Sequence, residues 1–228
     1  MKKVNQLSEA DHKLVTTAVG EAEKSTDGEI VTIVTNMSDK YDDVGLQWPI
    51  GITFLFLSSL AIFPAFYQSM IVGLFGGWEQ DFTTAGEQMS VLFITSLVLF
   101  VVSWFIFTWK PLRLFVTPKS IKQRRVRSRA IDFFKVGAER RTMGLTGILI
   151  YVSLKEHRAE IVADAAIAEK VSSEIWGDAM VALIDKIRAG RPGEGMAAAV
   201  HQIGIVLAEH FPKTDNNPNE LPDRLIEL

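Results

Sequence analysis

Acidic residues near the ends of predicted strands are the side chains whose types and spacing could do chemistry. Asp39, Asp42 and Asp43 follow one predicted strand, and Asp164 directly follows another. Carboxylate oxygens are the ligands that calcium and magnesium prefer, and strand ends can bring distant carboxylates together. Any metal site is therefore predicted to use Asp39, Asp42 and Asp164, and to take calcium or magnesium because the chain has no cysteine. The alternative is that the acids after the first strand form a solvated approach to the apolar segment that follows.

No motif for hydrolytic chemistry accompanies these acids. The sequence contains no GxSxG, HExxH, P-loop or DxD[GN]-type calcium loop. The four histidines are scattered and are interpreted as ordinary surface or core residues. We therefore predict no catalytic residue and no cofactor, with calcium or magnesium as the open alternative.

Two long runs without a charged residue interrupt the chain, from Val44 to Trp78 and from Gln88 to Trp109. A helix of about 20 residues crosses ~30 Å of hydrocarbon, in which each charged side chain costs roughly 2.5–3.5 kcal/mol. Two membrane spans are therefore predicted, at Trp48–Met70 and Met89–Trp109. The alternative is a pair of buried helices in a large soluble core, but neither run keeps the polar stripe of such a helix.

Proline interrupts the first of these runs, which is longer than one straight helix needs. Pro64 lies inside the first predicted span, and a glycine-rich segment follows it. The sequence predicts either a kink at Pro64 or an interfacial segment at Ile71–Trp78.

Charge differs sharply between the two ends of the second span. The linker before it carries Glu79, Asp81 and Glu87 and no basic residue, whereas Lys110 to Arg129 contains eight Lys or Arg and no acid. Basic residues near a span hold that end in the cytoplasm. Residues 1–47 contain no apolar run, so no cleavable signal peptide is expected. We predict a multi-pass inner-membrane protein with both termini cytoplasmic.

The basic segment after the second span is interpreted as a membrane-surface contact, since anionic lipid attracts each basic residue by ~1 kcal/mol. Its later part also fits the solvated face of a helix, which is compatible with that role. Nucleic acid is not predicted as a partner because no aromatics are interleaved for base stacking. The predicted partners are the bilayer and another membrane protein. The predicted contact residues are Lys110, Arg113, Lys119, Lys122, Arg124 and Arg125.

The remaining residues predict a small α/β (α+β) sandwich, a mixed sheet flanked by helices, with the transmembrane hairpin inserted into it. Two segments, Glu29–Thr35 and Gly147–Leu154, are apolar on both faces, so each needs cover on two sides and they are predicted to pair. A third strand, Arg158–Ala163, alternates, which predicts a solvent-facing Glu160. The predicted helices are 8–25, 120–141, 165–189 and 194–210. The predicted domain boundaries are 1–43 and 111–211 for the two parts of the sandwich, 44–110 for the hairpin and 212–228 for a flexible tail.

The order of these elements resembles the TPM domain family, named for thylakoid-lumen, photosystem-repair and receptor-auxiliary proteins. The resemblance covers about 35 residues before the hairpin and about 85 after it. It is carried by the Gly-Ile-Leu-Ile strand at Gly147–Ile150, the tight hairpin before Arg158, and the turn at Gly190–Gly195. Many members carry a Gly-rich acidic loop after the third strand, where this chain has Asp164 as its only acid.

The resemblance implies a mixed sheet flanked by helices and two kinds of activity. Some members are associated with acid phosphatase activity or calcium binding, and others resemble accessory proteins of membrane complexes. The first hypothesis for this chain is an interaction or accessory module anchored at the cytoplasmic membrane face. The alternative is a metal-assisted phosphatase. Because the loop after Asp164 lacks the extra acids of many members, we expect this chain to bind metal weakly or not at all.

Overall fold

A computed structural model describes residues 7–75, 85–137, 146–172, 174–214 and 220–228. They fall into two compact units. The sheet unit comprises the chain up to Asp39 and from Pro118 onward, and the hairpin unit comprises Lys40–Thr117. The centre of the acidic linker, residues 76–84, and the end of the helix predicted at 120–141 lie outside the described residues.

Five helices and four strands are seen in the described part of the sheet unit. Helix α1 begins after Ser8, whose hydroxyl and backbone form a reciprocal capping box with Asp11, as a Ser-x-x-acid start favours. The helices are α1 (Glu9–Ala22), α6 (Lys119–Gly137), α7 (Ala165–Lys170), α8 (Gly177–Arg188) and α9 (Pro192–His210). The strands are β1 (Glu29–Thr35), β2 (Gly147–Ser153), β3 (Arg158–Ala163) and β4 (Ile226–Glu227).

The strands form one mixed sheet in the order β3-β2-β1-β4. Strands β1 and β2 are parallel along their whole length, from Glu29 opposite Gly147 to Thr35 opposite Ser153. Strand β3 is antiparallel to β2, and β4 is parallel to β1. The predicted pairing of the two apolar segments is thus confirmed, although more than a hundred residues separate them.

Both faces of the sheet are covered by helices, as strands without a polar side require. Successive side chains of a strand point to opposite faces. On one face, Ile30 and Val34 of β1 join a core with side chains of α1, α8 and α9. On the other face, Val31 and Ile33 join a second core with Val126, Ala130 and Phe134 of α6. Every residue of β1 and β2 is buried.

The predicted single helix at 165–189 is wrong, because the chain forms two helices there. Val171, at the end of α7, takes an extended conformation. It is buried together with Trp176 in the core that lies between the sheet and helices α1, α8 and α9. Tertiary packing of these two side chains overrides the helical periodicity that runs through the segment.

The predicted flexible tail is also wrong for the residues described after 219. Leu221 and Leu225 are buried, and Ile226 and Glu227 pair with Ile33 and Val34 of β1. The backbone N–H of Leu228 donates to the carbonyl of Val34 at 3.0 Å. A segment rich in Pro and Asn therefore ends in a short strand that covers the edge of the sheet.

The hairpin unit consists of helices α2 (Asp42–Ile62), α3 (Pro64–Phe75), α4 (Ala85–Phe107) and α5 (Lys110–Val116). Helix α2 ends at Ile62 and α3 begins at Pro64, so the helical structure is interrupted at the proline where a kink was predicted. Of the segment predicted to be interfacial, Ile71–Phe75 is helical and the remainder is not described. Helices α2 and α4 pack against each other.

Candidate functional site

A buried polar network lies at the carboxyl ends of the parallel strands β1 and β2, where open α/β sheets often bind ligands. The carboxylate of Glu156, in the β2–β3 turn, accepts hydrogen bonds from the backbone N–H of Ser38 at 2.9 Å and from the hydroxyl of Ser153. The phenol of Tyr151 donates to the Ser38 hydroxyl at 3.1 Å. Burial raises the pKa of Tyr151.

The contacts of this network fit a structural role. Ser153 beside Glu156 has the composition of a nucleophile with a base, but its side chain is fully buried and no substrate could reach it. The guanidinium of Arg129 donates to the carbonyl of Ser38 at 3.3 Å, and Arg125 pairs with Asp39 at 3.2 Å. These contacts hold Ser38 and Asp39, which follow β1, against both the β2–β3 turn and α6.

The structure does not bring together Asp39 and Asp164, two of the three predicted metal ligands. Asp39 follows the carboxyl end of β1, whereas Asp164 lies at the opposite end of the sheet and accepts from the backbone N–H of Gly147 at 3.3 Å. The reason is that β3 runs antiparallel to β2, so its last residue meets the first residue of β2. Asp42 belongs to the hairpin unit and pairs with Arg113. Among the described residues, no group of three or more His, Cys, Asp or Glu could hold a metal ion.

Two buried carboxylates at the amino end of β1 were not predicted. Burial raises the pKa of Glu23 to about 8, with smaller contributions from the nearby charges of Glu29 and Asp223. Glu23 accepts from the backbone N–H of Ile30 at 2.8 Å, and Glu29 accepts from that of Leu221 at 3.2 Å. Burial also raises the pKa of Glu29. The available sequence signal was Glu23 at a helix C-terminus, where an acid opposes the helix dipole.

The predicted exposure of Glu160 is wrong. Its side chain is buried and accepts from the amide of Gln123 on α6 at 2.7 Å. Burial raises the pKa of Glu160, against the lowering effect of Arg127 and Gln123. Helix α6 covers this face of β3, so the polar positions of the alternating strand meet a basic helix instead of water.

Apolar side chains on the outside of the hairpin unit are its main chemical feature. Two of its helical segments, Asp42–Ile62 and Met89–Phe107, are long and apolar enough to cross a membrane, with mean hydropathies of 1.5 and 2.5. Only 11% of the most apolar window of each is buried. Helices of a soluble core would be mostly buried, so the alternative drawn from the sequence is not supported. Phe54, Leu55 and Phe105 are each about two-thirds exposed or more, at 66%, 71% and 72%.

A clamp centred on Arg113 joins the two ends of the hairpin unit. Its guanidinium pairs with Asp42 and donates to the carbonyls of Lys40 at 3.3 Å and Thr108 at 2.8 Å. A Cβ at residue 45 would lie 2.9 Å from the Cδ of Arg113, so glycine at this position leaves space for the Arg113 side chain. We call the contacts of Arg113 with Asp42, Lys40 and Thr108 the hairpin clamp. Trp48 of α2 also stacks on Phe107 of α4, with ring centroids 5.9 Å apart.

The basic residues predicted to meet lipid differ in how they are used. The side chain of Arg113 is only 11% exposed and that of Arg125 only 21% exposed, because each pairs with an aspartate of its own unit. Burial lowers the pKa of half-buried Lys122, and the positive charge of Arg158 lowers it further. The exposed members of the set are Lys110, Lys119 and Arg124.

These elements define an α/β domain whose mixed four-stranded sheet is interrupted, after its first strand, by an apolar helical hairpin. Neither a protein-family model nor a curated protein matches the chain. Among solved structures, the chain is similar to the NMR structure of the BA42 protein from the psychrophilic bacterium Bizionia argentinensis. The TM-score is 0.57 with 18% identity, and the match covers 100% of each chain. At that identity the likeness shows a common fold alone.

Proposed function

We propose that this chain is a membrane-anchored TPM-like protein whose sheet unit serves as an interaction or accessory module at the cytoplasmic face of the inner membrane. The observation that carries the proposal is the exposed apolar surface of α2 and α4. In each helix, only 11% of the most apolar 18-residue stretch is buried. Exposed apolar surface on this scale is unfavourable in water and favourable in hydrocarbon.

The pairing of β1 with β2 supports a hairpin that crosses the membrane and returns. The two strands precede and follow the hairpin unit, yet they are hydrogen-bonded side by side. Backbone strands cannot pair across a bilayer, so both parts of the sheet unit must lie on one side and the number of spans between them must be even. The eight basic residues after α4, against none in the linker, favour the cytoplasm as that side.

The accessory role is favoured because the polar groups that could do chemistry are used inside the fold. The buried hydroxyl of Ser153 donates to Glu156, and the buried phenol of Tyr151 donates to the hydroxyl of Ser38. Among the described residues, the acids do not converge on a metal position. No contact within the described part of the chain favours the phosphatase alternative. Turnover of a generic phosphomonoester by the purified protein, with and without calcium or magnesium, and its loss in Asp164→Ala would revive it.

Topology reporters test the proposal directly. A reporter active only outside the cytoplasm, inserted within Gly76–Glu87, is expected to be active, and the same reporter after Leu228 is expected to be inactive. A reporter active only inside should give the reverse pattern. Extracytoplasmic activity of the C-terminal fusion would overturn the proposed orientation. Recovery of the untagged protein in a carbonate-washed soluble fraction would overturn membrane anchoring itself.

A pull-down from native membranes tests the accessory role. The full chain is expected to retain a membrane protein after detergent extraction, and a chain whose hairpin unit is intact but whose sheet unit is removed should lose it. Retention by the hairpin unit alone would assign the interaction to the spans.

A further inference from the structure

Helix α5 and the residue before it expose large aromatic side chains directly beyond the end of the second apolar helix. The side chain of Phe115 is 84% exposed and that of Trp109, which precedes α5, is 68% exposed. Only Thr108 and Trp109 separate the last residue of α4 from the first residue of α5. Nothing in the described residues covers either ring, and such a pair is unfavourable in water.

The hairpin clamp restricts how α5 can turn. Arg113 lies in the middle of α5 and holds Asp42 and the carbonyl of Lys40 at the start of α2. Phe115 is two residues further along, about 200° around a helix of 3.6 residues per turn. The clamped face and the Phe115 face of α5 are therefore nearly opposite. Lys110, on the first turn, is exposed, and α5 contains no acidic residue.

We propose that Trp109 and Phe115 are interfacial anchors, which insert at the boundary between headgroups and acyl chains of the leaflet where α4 ends. This inference rests on the proposed membrane anchoring of α2 and α4. Aromatic rings are favoured at that depth, and a basic residue beside them can reach the phosphates. The clamp would then hold α5 along the membrane surface and set the depth of the end of α4.

Lipid is favoured over a protein as the occupant because α5 is continuous with the span. A ring two to eight residues beyond the end of a membrane helix lies at the interface before any partner arrives. The charge of α5 also matches anionic headgroups, since Arg113 is paired with Asp42 and the exposed Lys110 is the other charged residue of this helix.

Depth-dependent fluorescence quenching tests this proposal. The chain has no cysteine, so single substitutions carry one label each without further mutation. The probes are Phe115→Cys and Trp109→Cys at the proposed anchors, Leu97→Cys in the middle of α4, and Lys13→Cys on the exposed face of α1. Each labelled full-length protein is placed in nanodiscs whose lipids carry a nitroxide either high or low on the acyl chain. Iodide is the aqueous quencher.

The expected result is that the shallow nitroxide removes most of the fluorescence of the two anchor probes, and the deep nitroxide that of the Leu97→Cys probe. Iodide should quench only the Lys13→Cys probe strongly. Adding Arg113→Ala should weaken the shallow quenching of the Phe115→Cys probe and admit iodide.

Failure of this inference and failure of the proposed function give different patterns. If the Leu97→Cys probe is quenched by the deep nitroxide but the anchor probes respond to iodide, membrane insertion of α4 is supported and the interfacial anchors are refuted. If the anchor probes respond to neither iodide nor nitroxide, a protein surface covers them and lipid insertion is refuted. If no nitroxide quenches the Leu97→Cys probe, membrane anchoring of the hairpin falls as well.

Discussion

Burial changes the protonation of Glu23, a side chain that ends α1 beside the first residues of β1. Its pKa rises from 4.5 to about 8, so the folded chain binds a proton over a pH range in which the unfolded chain has released it. The stability that this proton contributes is full below about pH 4.5 and is lost as the pH rises to about 8. The sheet unit should therefore weaken from mildly acidic to alkaline pH.

Glu23→Gln should remove this pH dependence. The amide is always neutral, and its carbonyl can still accept from the N–H of Ile30, which Glu23 accepts at 2.8 Å. Near pH 9 we expect the variant to be more stable than the wild type by about 1–3 kcal/mol, and near pH 5 about equally stable. Urea denaturation in detergent at several pH values measures this. Glu21→Gln, an exposed neighbour, is the control; a parallel shift in both variants would contradict the assignment.

Glu156→Ala tests the polar network at the carboxyl ends of the strands. The change leaves the buried N–H of Ser38 and the hydroxyl of Ser153 without their acceptor, which should cost about 2–4 kcal/mol. Hydrogen exchange should accelerate first at Ser38 and Asp39. Lys155→Ala, at an exposed position of the same turn, should leave both measurements unchanged. Normal stability of Glu156→Ala would mean that the network does not hold this segment.

At the scale of elements, the sequence predicted those whose chemistry is local. Strands β1 and β2 were predicted to pair and to be buried on both faces, because apolar side chains on both faces require two layers of cover. Helix α1 was predicted at residues 8–25, and it begins after Ser8. The break between α7 and α8 could not be predicted, because it depends on where Val171 and Trp176 pack. Strand β4 has two residues and is stabilised by β1 rather than by its own composition.

The candidate sites divide in the same way. The apolar helices could be predicted because a charge-free run is a local property. The hairpin clamp could not, since Arg113 and Asp42 are 71 residues apart and their charges alone suggested lipid and metal. The predicted carboxylate site failed because one antiparallel strand places Asp164 at the wrong end of the sheet.

Leu225→Ala tests whether the C-terminal segment is part of the fold. Leu225 is 4% exposed and belongs to the core shared with α1, α8 and α9. Shortening its side chain to alanine should therefore destabilise the sheet unit by about 2–4 kcal/mol. Hydrogen exchange at Ile33 and Val34, which pair with β4, should accelerate with it. The adjacent Arg224→Ala, at an exposed position, should have little effect. Equal behaviour of the two variants would return the segment to the status of a tail.

At the scale of the whole molecule, one chain forms two compact units, and both apolar cores described above consist of residues of the sheet unit. Each unit has its own set of contacts, and the hairpin unit is an insertion between β1 and α6. Because the sheet and both of its helical layers lie within the sheet unit, that unit should not need the hairpin for its stability.

Replacing Lys40–Thr117 by a flexible Gly/Ser linker of about 12 residues, long enough to span roughly 20 Å, should yield a folded protein that needs no detergent. Four of the five tryptophans are removed, and Trp176, which is 7% exposed, remains as the reporter. We expect blue-shifted emission that shifts to the red in one cooperative urea transition. Red-shifted emission or precipitation without detergent would show that the sheet unit depends on the hairpin.

The parallel pairing of β1 with β2 also has a consequence for biosynthesis. At translation rates of about 5–20 residues per second, β1 emerges from the ribosome roughly 6–24 s before its partner, and in the proposed topology the hairpin is inserted in the interval. Its seven buried residues must wait, unpaired, until β2 is made. If the second helix failed to insert, β2 would emerge on the far side of the bilayer and the sheet could never close. In the proposed topology, completion of the sheet is therefore a checkpoint on membrane insertion, and chains that fail it would present β1 to chaperones and proteases.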